Sequence, residues 1–253
     1  MRILLTNDDG INAPGLVVLE AIARELSDDI WVVAPSEEQS GAGHSLTLTR
    51  PLRIRKHDER RYSVTGTPTD SVMLALGKIM LDAKPDLILS GVNRGANLAE
   101  DVTYSGTVAA AMEGTLAGIR SIAMSQAYDR EGAGDDVSFT ASAQWGAKVL
   151  RQVVDSELPD NTLININFPV NEPKGIRVVS QGFRDYERLK IVTNTDPRGY
   201  EYHWFALGGA RATPAHSTDL EAIIDGYIAV TPLNLDLTDR QTLIGLSACF
   251  PEA

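Results

Sequence analysis

Short apolar runs alternate with longer stretches of helical period along most of this chain. Residues 2–6 form an apolar run cut off by Asn7-Asp8-Asp9-Gly10, which reads as a buried strand ending in a loop. Pro14 suits the first turn of a helix, and Leu16, Leu19, Ile22, Ala23 and Leu26 fall on one face of it. A second apolar run over 30–34 stops at Pro35. Strand, helix and strand in this order predict a parallel pair joined by a right-handed crossover.

The alternation continues. A helix is predicted over 69–80, with Val72, Met73, Leu76 and Ile79 or Met80 inward, then a strand over 86–90 running into a polar loop. An alanine-rich helix over 107–116, a short strand over 121–124, a long helix over 139–158 and a strand over 163–168 follow. The fold class expected is α/β, a Rossmann-like, doubly wound, mostly parallel sheet. Beyond about residue 180 the texture changes. Segments 189–193 and 200–207 flank the turn-rich Asn194-Thr195-Asp196-Pro197-Arg198-Gly199, which predicts a projecting β-hairpin. Tyr200, Tyr202, Trp204 and Phe205 place aromatic rings on both of its faces. A helix capped at Ser217-Thr218-Asp219 is predicted to run to Gly226, with strands over 228–233 and 243–250.

The 253 residues fit one large α/β domain, or a domain with an appendage. Net charge is −11, which disfavours duplex nucleic acid as a partner but leaves room for a small anion beside a bound metal. A single cysteine, Cys249, permits neither an intrachain disulfide nor a cysteine-based zinc site, and reads as a small buried hydrophobe near a strand end. No apolar run reaches the ~18 residues of a membrane span, so the expected location is the cytoplasm.

In open parallel sheets ligands sit beyond the carboxyl ends of the strands. Three polar loops fall there: residues 6–12, residues 36–44 and residues 90–97. Asp8 and Asp9 would repel each other unless a cation or donor lies between them, and hard oxygens of this kind suit Mg2+, Mn2+ or Ca2+. Asn-Asp-Asp-Gly is also good turn chemistry. Ser40 and Asn93 add neutral oxygens from the other two loops. Ser105-Gly106-Thr107, just before the alanine-rich helix, places free N–H groups and two hydroxyls at a helix N-terminus, a place for an anion or a plain cap. His44 lies in the second loop as a candidate substrate contact, whereas His57, His203 and His216 are scattered. There is no Gly-x-Gly-x-x-Gly turn, Walker A loop, Gly-x-Ser-x-Gly elbow or His-Glu-x-x-His.

Several segments together resemble the SurE survival-protein family. They are Thr6-Asn7-Asp8-Asp9-Gly10-Ile11 with Ala13-Pro14-Gly15, Ala34-Pro35, Ser40-Gly41 leading to Ser45-Leu46-Thr47, and Gly66-Thr67-Pro68-Thr69-Asp70. Ser90-Gly91-Val92-Asn93 with Gly95 and Asn97, and the run from Tyr104-Ser105-Gly106-Thr107 to Glu113-Gly114, complete the match. Their order and spacing fit throughout residues 1–125, while the C-terminal part matches loosely.

The resemblance implies a metal-dependent 5′/3′-nucleotidase acting on nucleoside monophosphates, with short polyphosphate a side substrate in some members. It implies one divalent ion per subunit, Mg2+ or Mn2+, at Asp8, Asp9, Ser40 and Asn93, and phosphate contacts at Asn97, Ser105, Gly106 and Thr107. It implies homodimers or homotetramers built with C-terminal elements, hence one domain with a core over about 1–180 and an assembly extension over about 181–253. Arg94 occupies a position that varies in the family and bears on phosphate preference if it turns into the cleft. Asp8 and Asp9 are the catalytic candidates, orienting a metal-activated water. Three rivals remain at this point: an aspartyl-phosphate phosphatase, a nucleoside hydrolase and a non-catalytic nucleotide-binding module.

Overall fold

A computed structural model describes residues 1–129, 137–184, 189–207 and 217–250 of the chain; His216 lies outside them. The first apolar run forms β1 (Arg2–Thr6), fully enclosed from Ile3 onward. Burial on both faces is why the run is continuous rather than alternating. After the polar loop, α1 (Pro14–Arg24) opens with proline where no N–H is needed and buries Leu16, Leu19, Ile22 and Ala23. Gly15 is required for space, since a Cβ there would stand 1.9 Å from the Val92 carbonyl oxygen. β2 (Asp29–Pro35) returns parallel to β1, Leu4 facing Trp31.

The next pair, β3 (Ile54–Asp58) and β4 (Arg61–Val64), is antiparallel and carries β4 alongside β2. The sequence pattern did not predict these strands, because β3 is an exposed edge with no buried face to write an alternation. α2 (Pro68–Leu74) starts in a capping box: Thr67 Oγ1 accepts from the Asp70 N–H, and Asp70 Oδ2 accepts from the Thr67 N–H at 2.8 Å. The single helix expected over 69–80 is corrected here. From Ala75–Ile79 the chain widens into a π-turn, closed by the Met80 N–H on the Ala75 carbonyl. Met73, expected inward, is 45% exposed.

β5 (Leu87–Arg94) pairs with the far edge of β1, Thr6 facing Ser90. It does not stop at residue 90 as expected but carries Asn93 and Arg94 within the strand. A 3₁₀ turn, Ala99–Thr103, leads to α3 (Gly106–Leu116). β6 (Arg120–Gln126), α4 (Thr140–Val154) and β7 (Thr162–Phe168) complete the parallel series, α4 ending four residues before its expected end at 158.

β8 (Ile176–Val178), also unpredicted, is a three-residue edge strand. The expected hairpin is present as β9 (Leu189–Thr195) and β10 (Glu201–Leu207), a separate two-stranded sheet closed by Gly199 at φ 88°. α5 (Asp219–Ile224) follows the predicted cap. β11 (Ile228–Asn234) enters the main sheet between β7 and β8, antiparallel to β7. The strand expected over 243–250 is instead α6 (Arg240–Cys249), capped by Asp239 accepting from the Thr242 N–H. A short apolar run carries no period that separates strand from helix, and the acidic cap decided it. α6 buries no residue, so Cys249 is exposed rather than a buried hydrophobe.

The main sheet runs β3-β4-β2-β1-β5-β6-β7-β11-β8. α1 and α4 pack on one face with Ile3, Leu5, Leu89 and Ile166. On the other face, α2 and α3 pack with Leu4, Val33 and Ile88. Each fully buried Leu or Ile contributes roughly 1.5–3 kcal/mol, which gives the sheet the rigidity to hold charged groups at its end. Strand order reverses between β1 and β5, so the crevice at their carboxyl ends is the switch point where such sheets bind ligands.

Candidate active site

Four segments close on this crevice. Asp8 and Asp9 follow β1, and the Asp8 backbone carbonyl accepts from the Gln39 N–H at 2.8 Å, which seats the second loop beside it. The Arg94 N–H at the end of β5 donates to Asp9 Oδ2 at 3.1 Å. From α3, the Thr107 hydroxyl donates to Asp8 Oδ1 in a short hydrogen bond. Gly106 makes this approach possible, since a Cβ on it would lie 2.7 Å from Asp8 Cβ.

Electrostatics mark Asp8 most strongly. Burial pushes its carboxyl up to about 6, against the Thr107 hydroxyl, which favours the ionised form, and with the Asp9 charge adding to the rise. Asp9 is also raised, chiefly by burial, against the Arg94 N–H and with Glu38 adding repulsion. Among the described residues no cationic side chain bonds Asp8. An ionised carboxylate so placed is disfavoured by several kcal/mol until a positive group meets it.

The remaining predicted residues lie at the end of β5, on the loops that follow β2 and β5, and at the start of α3. Ser40 Oγ donates to Glu38 Oε1 at 2.8 Å and keeps its lone pairs. Asn93 is buried, and its amide nitrogen donates to the Gly95 carbonyl at 2.8 Å, leaving Oδ1 without a partner among the described residues. Ser105 caps α3 by accepting from the Val108 N–H at 3.0 Å. The proton of the Thr107 hydroxyl is committed to Asp8. In this pose it is not a free donor, whereas the proton of the Ser105 hydroxyl has no acceptor among the described residues. His44 pairs through Nε2 with Glu113 of α3 at 3.0 Å. The Arg94 guanidinium lies over the Tyr128 ring, 5.9 Å from its centroid.

Asn97 is the most firmly held. Its N–H donates to Asn167 Oδ1 at 2.8 Å, and its carbonyl accepts from Asn165 at 2.8 Å and Asn167 at 3.1 Å. Its side-chain Nδ2 donates to Ser125 Oγ at 2.8 Å. Because a hydroxyl both donates and accepts, Ser125 serves either orientation of that amide, and turning it frees the NH2 group for an anion. Sequence reasoning missed Ser125, Asn165 and Asn167. The only signal was Asn-Ile-Asn within an apolar strand, a spacing that sets two amides on one buried face.

The donor set suits a divalent cation. Among the described residues no group of three His, Cys, Asp or Glu side chains is arranged for a metal. Asp8 and Asp9 offer two carboxylates, and Ser40 and Asn93 offer neutral oxygens, hard donors of the kind Mg2+ and Mn2+ prefer. A cavity of about 650 Å3 beside β8 and α5, lined by Arg177, Thr218, Glu221 and Asp225, contains none of these residues. Asp8, whose carboxyl burial raises to about 6, stands at the strand ends instead.

Fold and crevice together define a doubly wound α/β protein that can seat a cation and an oxyanion side by side at its switch point. Residues 3–188 match the family model described as Survival protein SurE, and the chain belongs to the SurE family. It is 62% identical over 253 residues to the 5′-nucleotidase SurE of Rhizorhabdus wittichii, covering 99% of this chain and 100% of that protein. It is 62% identical over 246 residues to the 5′-nucleotidase SurE of Erythrobacter litoralis, covering 96% and 97%. The crystal structure of the SurE protein from Aquifex aeolicus superposes with a TM-score of 0.82 at 40% identity, covering 98% of this chain and 99% of that one.

Proposed function

We propose that this chain is a 5′-nucleotidase, a phosphomonoesterase that hydrolyses nucleoside monophosphates to nucleoside and phosphate with the help of a divalent cation. One observation carries the reading: Asp8 is buried at the switch point with its carboxyl raised, bonded to Thr107 in the first turn of α3. The full-length similarity to proteins named 5′-nucleotidase SurE supports it.

Asp8, Asp9, Ser40 and Asn93 would hold one Mg2+ or Mn2+ per subunit, which when bound supplies Lewis acidity toward a phosphoryl oxygen and a water acidified toward neutrality. An oxygen of Asp8 or Asp9 accepts a hydrogen bond from the attacking water and sets its line of approach. Thr107 fixes the Asp8 carboxylate. The Ser105 hydroxyl and the Gly106 N–H, at the positive end of α3, donate to the equatorial phosphoryl oxygens. Asn97, with its amide turned so that Ser125 donates to it, adds an N–H to the same phosphate. His44, anchored by Glu113, contacts the nucleotide from the second loop.

The enzyme works in the cytoplasm as a homodimer or homotetramer, one domain with a core over about 1–180 and an assembly extension over about 181–253. Exposed Tyr200, Trp204 and Phe205 on the hairpin, and an α6 with no buried residue, support assembly through that extension. No described helix is long and apolar enough to cross a membrane.

The test is phosphate release from a panel of nucleoside 5′- and 3′-monophosphates and short polyphosphate, with Mg2+, Mn2+ or a chelator. Cation-dependent release from 5′-monophosphates is expected. Free base instead of phosphate, or saturable nucleotide binding without turnover, overturns the reading.

A further inference from the structure

We infer that Asp219, far in sequence from the strand-end carboxylates, is a positioning residue that holds the Asn97 loop in its phosphate-binding shape. The inference rests on the reading of Asn97 as a phosphate contact given above.

Asp219 is the first residue of α5 and is fully buried. Only backbone N–H groups meet its carboxylate among the described residues. Gly182 at 2.9 Å and Leu220 at 2.8 Å donate to Oδ1, and Ala99 at 2.8 Å donates to Oδ2. At the start of α5 the Glu221 carboxylate separately accepts from the Thr218 N–H at 3.2 Å. Gly182 packs tightly, a Cβ there falling 3.0 Å from Asp219 Oδ1, and the three N–H donors hold the carboxylate in this pose. In that pose its second oxygen is directed entirely to Ala99.

Ala99 needs such a hold. Its φ is 53°, in the left-handed region that a residue with a Cβ disfavours. Both of its backbone polar groups are taken from the C-terminal side, the N–H by Asp219 and the carbonyl by Gln181 Nε2 at 2.9 Å. Two residues earlier, Asn165 and Asn167 of β7 take the backbone of Asn97. The peptides between residues 97 and 99 are therefore gripped at both ends, which fixes the direction of the Asn97 side chain. Releasing Ala99 frees the loop to leave its left-handed turn and carry Asn97 away from the crevice. A carboxylate is specifically required. An amide at 219 keeps its oxygen for the paired donors Gly182 and Leu220 and turns NH2 toward the Ala99 N–H, donor against donor.

The test is a double-mutant cycle of Asp219→Asn with Asn97→Ala in the Mg2+- or Mn2+-loaded protein. Two quantities are read: kcat/KM for the best nucleoside monophosphate, and the equilibrium affinity for inorganic phosphate. Asp219→Asn is expected to lower both by about tenfold, with the loss in kcat/KM appearing mainly in KM. The double variant is expected to lie within about twofold of Asn97→Ala alone, because both changes remove one contact. A merely structural Asp219 would lower the melting temperature yet give wild-type kinetics or a loss that multiplies with that of Asn97→Ala, and either result overturns the inference. Wild-type values in Asn97→Ala overturn the Asn97 reading itself, and the inference with it. If Asp219→Asn fails to fold, Gln181→Ala replaces it in the cycle. There a loss of about threefold in both quantities, absent in the Asn97→Ala background, supports the inference, and wild-type values overturn it.

Discussion

At the ends of β1 and β5 the chain takes carboxylates out of water, while along β9 and β10 it leaves Trp204 at 64% and Phe205 at 76% exposure. The crevice and the arm thus depart from ordinary burial in opposite senses. A buried carboxylate without a positive partner, as at Asp8, and exposed aromatic rings both work against the stability of the isolated chain. In the proposed reading each departure is completed from outside, by a cation and a phosphoryl group in one case and by a second copy in the other. Asp70 provides an internal control, a carboxylate buried in the same half of the molecule that is fully satisfied by the chain itself.

The sharpest way to break the comparison is Asp8→Asn. Turnover in a phosphate-release assay is expected to fall by about 100-fold or more even at saturating cation. The melting temperature of the chelated protein should stay level or rise, because a neutral amide is easier to bury. Near-normal turnover, or a clear loss of stability without metal, would remove the contrast with Asp70.

Asp70→Asn should behave oppositely. Burial alone would raise the Asp70 carboxyl, but the hydroxyl and N–H of Thr47, with Thr67, outweigh it and hold the group below the usual aspartate range. A folded value below the unfolded one gives stabilisation that is present above about pH 4 and is lost as pH falls through the folded value. Asp70→Asn is therefore expected to cost about 1–2 kcal/mol at neutral pH and progressively less in acid, as read from denaturant melts. An equal cost at every pH would show that the carboxylate charge contributes nothing.

The mildest effect on chemistry is expected at the arm. Trp204→Ser with Phe205→Ser should shift the mass in light scattering toward the monomer, while kcat/KM per chain changes by less than about twofold. An unchanged mass would place the assembly contact elsewhere.

Much of the core could be read from one dimension. Residues 2–6, 30–34 and 163–168 are short, apolar and bounded by turn formers, and each is a buried strand. α1 announced itself by its stripe of Leu16, Leu19 and Ile22 after Pro14. The exposed β3, the three-residue β8 and the widened turn after α2 escaped, because none carries a regular apolar period. The apolar run in α6 misled for the related reason that eight residues do not distinguish a period of 2 from one of 3.6.

The order of strands and helices, the polarity of the loops and the presence of an acidic pair after the first strand were properties of the chain alone, because periodicity and turn chemistry act between near neighbours. Which groups meet was decided only on folding. Thr107 reaches Asp8 across 99 positions and Asp219 reaches Ala99 across 120. Those bonds exist because strand order and helix packing bring distant loops together, and a hydrogen bond depends on separation in space rather than along the chain.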